Sequence, residues 1–349
     1  MRACGARACA ARAAIALWLL AGAALCGSAM AADVARAQDW QGGPGYRTYV
    51  IGDESAPTPD PVIGGLLLNG GGGWPYDAFR WFTEHAGHGH LVVLHASETT
   101  EIQNRFYNDI KGLQSVRTFV FTDRSAASDP RLLAAVRAAD AIFVGGGDQS
   151  NYVRMWRGTP LNAAIDAHIA AGKPFGGTSA GLAIQGAWLY GCMDSISLTS
   201  AHALADPLGK SVTIEGDFLH ADLLEHILTD SHFDARARLG RLFTFLARAH
   251  TLDPERTLAG LGIDEASALT VESDGTASFH ARSGGKYAWL VQPRAYGALE
   301  PGKPLNLAEV RVTAIGPATT FNVRTLAVQA PAFERSYDVV EGELKLREP

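Results

Sequence analysis

Short apolar runs alternate with amphipathic stretches through the first half of this chain. Gly64–Leu68, Leu91–Leu94, Thr118–Phe121 and Ala141–Val144 read as strands. Between them, Tyr76–His85, Glu101–Leu113 and Pro130–Ala138 read as helices, and Thr159-Pro160 opens another that runs to about Ala171. The strands are nearly continuous in apolar residues, so both of their faces are buried. Strand-helix alternation of this kind predicts an α/β fold with a mostly parallel sheet covered by helices on both sides. In such sheets ligands bind beyond the carboxyl ends of the strands. Three glycine-rich turns fall at those ends: Gly70–Gly73, Gly145–Gln149 and Gly177–Gly181. After about Gly260 the pattern changes to short β-like runs, Ala268–Val271, Ala277–His280, Ala288–Val291 and Val310–Thr313. These predict extra strands and a small C-terminal β extension. The expected organisation is a leader over 1–31, an irregular lead-in over 32–61, a catalytic α/β domain over 62–300 and the extension over 301–349.

The leader is expected to stand apart from the fold. Arg2, Arg7 and Arg12 precede the apolar run Ala13–Leu25, and Ala29-Met30-Ala31 follows as a small-x-small cleavage site, with Ala35-Arg36-Ala37 as a second candidate. This is the pattern of a secretory signal peptide and predicts a secreted or periplasmic protein. Losing its three arginines takes the formal charge from −6 to about −9. An acidic chain without basic runs is a poor ligand for nucleic acid or an anionic membrane. Of four cysteines only Cys192 follows the leader, so no intrachain disulfide is expected and Cys192 reads as a buried, inert thiol.

The glycine clusters lack both G-x-x-x-x-G-K-[ST] and a clean G-x-G-x-x-G, so no nucleotide or other cofactor is expected. His85, His88, His90 and His95 crowd one stretch but flank a helix end and a strand, and they are not expected to converge on a metal. Gly177-Thr178-Ser179-Ala180-Gly181 is different. It fits G-x-S-x-G between a strand and a helix, the setting of an exposed serine nucleophile above free helix N–H groups. A plain glycine-serine turn is the alternative. A serine nucleophile needs a base, and the base needs an orienting acceptor. His232 lies in Asp230-Ser231-His232-Phe233, just before an expected helix whose first turns carry Arg236, Arg238 and Arg241. Three arginines beside one histidine suggest anionic groups on a substrate. An exposed helix face is the plainer alternative.

Taken together, Gly145-Gly146-Gly147-Asp148-Gln149, Gly177–Gly181, Asp230–Phe233 with Arg236, Arg238 and Gly240-Arg241-Leu242, and Gly262-Ile263-Asp264-Glu265-Ala266-Ser267-Ala268-Leu269 resemble the cyanophycinase branch of the peptidase E family, in order and spacing. The resemblance runs from about Gly64 to about Val291. It implies a flavodoxin-like three-layer α/β/α fold related to class I glutamine amidotransferases, and a serine exopeptidase acting on aspartyl peptides such as cyanophycin. By motif position it implies Ser179 as nucleophile, His232 as base and Glu265 as orienting acid, with Asp194 the weaker candidate for that acid. The N–H groups of Ala180 and Gly147 would form the oxyanion hole. Asp148, Gln149, Asp230, Arg236, Arg238 and Arg241 would hold the aspartyl part of the substrate. A homodimer is the assembly considered. The chain departs from the family's usual pattern at Ser231, Leu182 and Gly70–Pro75, which bears on the substrate pocket. Two other readings are an α/β-hydrolase esterase, which would use His280 as a late base, and a relative that binds peptides without cleaving them.

Overall fold

Residues 41–97, 101–194 and 197–348 are described by the structure, a computed structural model. The expected leader, with Cys4, Cys9 and Cys26, and the start of the lead-in lie outside the described residues.

Five parallel strands form the centre of an eleven-stranded sheet, in the spatial order Ser115–Phe121, His90–His95, Ala141–Val144, Phe175–Thr178, Gly65–Asn69. Their side chains alternate between two cores. Leu66, Leu68, Val92, Leu94, Ile142 and Val144 pack on one face. Leu67, Val93 and Phe143 pack on the other, against Phe79, Phe82 and Phe106. Burial of each such side chain contributes about 1.5–3 kcal/mol relative to exposure. Period-2 alternation between two apolar layers explains why these strands read as unbroken apolar runs.

The connecting helices begin where their caps dictate. Asp129 accepts from the N–H groups of Arg131 and Leu132, and Pro130 opens the helix Pro130–Ala138. Thr159 and Pro160 do the same for Pro160–Ala170. The expected helix over 101–113 is shorter and irregular. Glu101–Asn104 is α-helical, Arg105–Ile110 continues in wider π-type turns, and Lys111 at φ 68° ends it.

The expectation of one mostly parallel sheet is corrected. Beyond the parallel centre, Tyr46–Gly52 adds antiparallel to one flank, and Ser267–Glu272 and Thr276–Ala281 add antiparallel to the other. A second, eight-stranded sheet pairs Ile227–Asp230 in parallel with Ala259–Ile263 and with Trp188–Tyr190, then continues antiparallel through Ala288–Pro293, Leu307–Ile315, Phe333–Val340 and Glu343–Leu346. A buried apolar strand reads alike in either orientation, so the residues alone did not separate the two sheets. Residues after 301 supply strands to both sheets, because Thr320–Asn322 pairs with Thr276–Ala281. Among the described residues no helix is long and apolar enough to cross a membrane.

Candidate active site

Ser179 closes the strand Phe175–Thr178 and starts the short helix Ala180–Ala183. Its φ of 56° lies in the left-handed region, a strained conformation for a non-glycine residue. The neighbouring glycines make the turn possible. A Cβ on Gly177 would lie 2.3 Å from the Gly181 carbonyl oxygen, and one on Gly181 would lie 2.2 Å from that of Val144. His232 and Glu265 each sit two residues past a strand of the second sheet, after Ile227–Asp230 and Ala259–Ile263. His232 is also left-handed, at φ 46°.

The three side chains form one relay. Ser179 Oγ is 2.7 Å from His232 Nε2, and His232 Nδ1 is 2.5 Å from Glu265 Oε1. A carboxylate can only accept, so Nδ1 carries the proton and donates to Glu265. Nε2 is then free to accept from the serine hydroxyl. His232 is buried, which pushes its pKa below the usual imidazole value. The hydrogen bond to Glu265 opposes that shift, and Arg236 and Arg238 add to it. The neutral imidazole is therefore favoured, which is the form a general base requires.

The backbone that holds the relay comes from Asn69-Gly70-Gly71. The carbonyl of Asn69 accepts the N–H of Ser179 (3.1 Å), that of Gly70 the N–H of His232 (2.7 Å), and that of Gly71 the N–H of Ala266 (2.8 Å). Three consecutive carbonyls thus each grip one segment of the relay. The Asn69 side chain, fully buried, fixes this turn. Its Oδ1 accepts from Gly71 N–H and from the Thr178 hydroxyl, and its Nδ2 donates to the Ser267 carbonyl. Asn69 was not singled out from the sequence, although a polar residue closing an apolar strand before four glycines was a usable signal.

The sequence-predicted residues divide. Gly146 packs against Ser179, since a Cβ there would be 3.3 Å from Ser179 Cβ, and Gly147 follows it beside Ser97. Ala180 is buried directly after the serine. Asp148 accepts from Ser150 N–H and caps the helix Gln149–Trp156, while Gln149 donates to the Tyr190 carbonyl. The helix expected straight after His232 starts only at Leu239, because Ala237 at φ 47° interrupts it. Arg236 is exposed in that turn, and its charge acts on His232.

Asp230, Arg238 and Arg241, expected to hold substrate, bond to one another. Arg241 donates through Nε to Asp230 Oδ2 (2.7 Å) and through a second nitrogen to Oδ1, and the two residues are 1% and 2% exposed. Arg238 reaches Asp230 at 3.4 Å and donates to the Ser231 carbonyl at 2.7 Å. Burial alone would raise the Asp230 carboxyl, but Arg241 and then Arg238 outweigh it and hold the carboxyl below its ordinary range. Both arginines are buried against Asp230 and its neighbours. The hydrogen-bonding carboxyl of Asp264 likewise turns away from the relay, accepting from Tyr287 N–H and Trp289 Nε1, and burial pushes it up to about 6.

His280 bonds to Thr270 and is not the partner of Ser179; Glu265, not Asp194, meets His232. The clustered histidines go separate ways: His85 to Glu272, His88 to the Gly112 carbonyl, His90 to Ser115 and the Ala56 carbonyl, and His95 to Ser97 N–H. Among the described residues no three potential metal ligands cluster. Cys192 is buried, and burial raises its thiol pKa, so it favours the less reactive thiol form.

A strained serine hydrogen-bonded to a histidine, itself oriented by a carboxylate, is the constellation of nucleophilic acyl transfer. The model of peptidase family S51 matches residues 95–278. A cyanophycinase from Synechococcus elongatus is 30% identical over 249 residues, covering 68% of this chain and 70% of that protein. One from Geminocystis herdmanii is 26% identical over 243 residues, covering 67% and 82%. A solved peptidase from an acI-B1 actinobacterium superposes with a TM-score of 0.46 at 15% identity, covering 78% of this chain and 97% of that one. The chain belongs to peptidase family S51, a family of serine-type peptidases.

Proposed function

We propose that this protein is an exported serine exopeptidase that hydrolyses aspartyl peptides, cyanophycin-like polymers among them, on a flavodoxin-like core. The observation that carries the reading is the continuous relay from Ser179 through His232 to Glu265. Ser179 Oγ attacks the scissile carbonyl as His232 Nε2 takes its proton. The developing oxyanion is held by the N–H groups of Ala180 and Gly147. His232 then gives the proton to the leaving amine, and a water repeats the cycle on the acyl-enzyme. Glu265 holds the imidazole in the required tautomer and stabilises the transient imidazolium. Of the three arginines expected from the sequence, the exposed Arg236, beside His232, receives the aspartyl carboxylate. The charged start, apolar run and small-x-small site within residues 1–31 support export.

The test is product analysis with cyanophycin, β-aspartyl dipeptides and α-aspartyl peptides, alongside labelling by a fluorophosphonate. Release of an aspartyl product together with labelling of Ser179 is expected. Labelling without hydrolysis of any aspartyl peptide, but with cleavage of neutral esters, would replace this reading with a general esterase. A protein that binds such peptides and neither labels nor cleaves would be a non-catalytic relative.

A further inference from the structure

An open cavity of about 460 Å³ lies between the turn Trp74–Asp77 and the segment Phe279–Arg282. Its link to the relay runs through the backbone. Arg282 N–H donates to the carbonyl of Ala266, the residue after Glu265, at 3.0 Å. The glycine turn that covers the relay also covers this arginine. A Cβ on Gly72 would be 3.5 Å from Glu265 Oε2, and one on Gly73 would be 2.9 Å from Arg282 Cδ. Gly73 therefore leaves room for the arginine stem to cross the turn, and a side chain there would push the stem aside.

The charges facing this cavity leave one cation without a counterpart. Asp77 is paired with Arg80 at 2.8 Å. His280 is hydrogen-bonded to Thr270, and burial lowers its pKa, so it brings no charge near neutral pH. Among the described residues the Arg282 guanidinium makes no hydrogen bond or ion pair, although it is exposed. An arginine stem accommodated by a glycine, with its side-chain donors free at a cavity and its backbone bonded to the residue after Glu265, is suited to bidentate capture of a carboxylate.

We propose that Arg282 and the cavity between Trp74–Asp77 and Phe279–Arg282 form a second carboxylate-binding subsite, which positions a peptide substrate by an acidic group distinct from the one met by Arg236. The inference rests on the peptidase reading above and deepens it. The acidic group is either a side-chain carboxylate or the free C-terminus, two sources of the same chemistry.

The test uses Arg282→Gln, which keeps the stem over Gly73 and removes the charge. Affinities are measured by calorimetry in a Ser179→Ala background, so that no turnover is needed. One pair of aspartyl peptides differs only in a free or amidated C-terminus, and a second pair differs only in a flanking Asp or Asn. Arg282→Gln should weaken binding of the carboxylate-bearing member of one pair by at least about tenfold, the scale of a charge-assisted hydrogen bond, and leave its neutral twin unchanged. The pair that responds identifies the source of the carboxylate. Equal losses for both members, or no loss in either pair, would overturn the proposal. So would Arg282→Gln slowing fluorophosphonate labelling of Ser179 in the otherwise native protein, because Arg282 would then only shape the turn over the relay. Failure of the native protein to label would count against the peptidase reading, while the calorimetry would still decide for or against Arg282.

Discussion

The Gly70 carbonyl accepts the backbone N–H of His232 at 2.7 Å, which ties the turn after the first parallel strand to the base of the relay. The next residue, Gly71, faces the imidazole itself. A Cβ on Gly71 would lie 2.4 Å from His232 Cε1 and 2.5 Å from Nε2, and Gly71 is at φ +96°. Only a residue without a side chain fits this place.

Gly71→Ala is therefore expected to displace the imidazole and lower kcat by about 10²-fold or more, the scale of a roughly 1 Å misplacement of a catalytic group. The circular dichroism spectrum should remain native. Steady-state kinetics on an aspartyl peptide check this. Unchanged kcat would mean that the turn does not set the position of His232.

Arg241 forms a buried pair with Asp230, which lies two residues upstream of His232. Arg241→Ala removes the main partner of a buried carboxylate, leaving the longer contact to Arg238, and should cost about 3–5 kcal/mol of stability. The exposed Arg236→Ala should stay within about 0.5 kcal/mol of the native protein in stability and act on KM instead. Urea denaturation separates the two. An Arg241→Ala protein of native stability, with only a raised KM for acidic substrates, would show that Arg241 reaches substrate after all.

The pH dependence follows from His232. Burial lowers its pKa and Glu265 opposes the shift, so the neutral base persists below the ordinary imidazole value of about 6.5. The acidic limb of kcat/KM should fall below that value. Glu265→Gln removes the opposing contribution, so the limb should move lower still while kcat drops by about 10⁴, the scale seen when a triad acid becomes an amide. The sign for stability is the same. Between the lowered folded pKa and the unfolded value the unfolded chain binds more protons at this site, so the contribution of His232 to stability is lost as pH falls through that window. A limb above the ordinary value, or one that Glu265→Gln moves upward, would contradict the assignment of His232.

The parallel centre was legible because its strands alternate between two apolar layers and its helices carry Asp129-Pro130 and Thr159-Pro160 caps. Ser179, His232 and Glu265 were legible by motif position and meet in space. The second sheet was hidden, since Ala259–Ile263 and Ala288–Pro293 read as apolar runs whose partners lie far along the chain. The inward turn of Arg238 and Arg241 was hidden as well. Nothing local says that Asp230 is their partner, or that Ala237 breaks the helix expected to display them. The gripping role of Asn69-Gly70-Gly71 depends on contacts with residues more than a hundred positions away, such as Ser179 and His232.

The central claim is that Ser179 is the nucleophile of an acyl-transfer relay, and turnover of an aspartyl peptide by Ser179→Ala tests it most directly. The substitution removes one oxygen at a partly exposed position, so the fold should persist. Turnover should fall by several orders of magnitude, on the order of 10⁶ in triads of this kind, and fluorophosphonate labelling should disappear. A Ser179→Ala protein that keeps more than about a tenth of native turnover would contradict the account, because residual catalysis without a nucleophile lies far below that level.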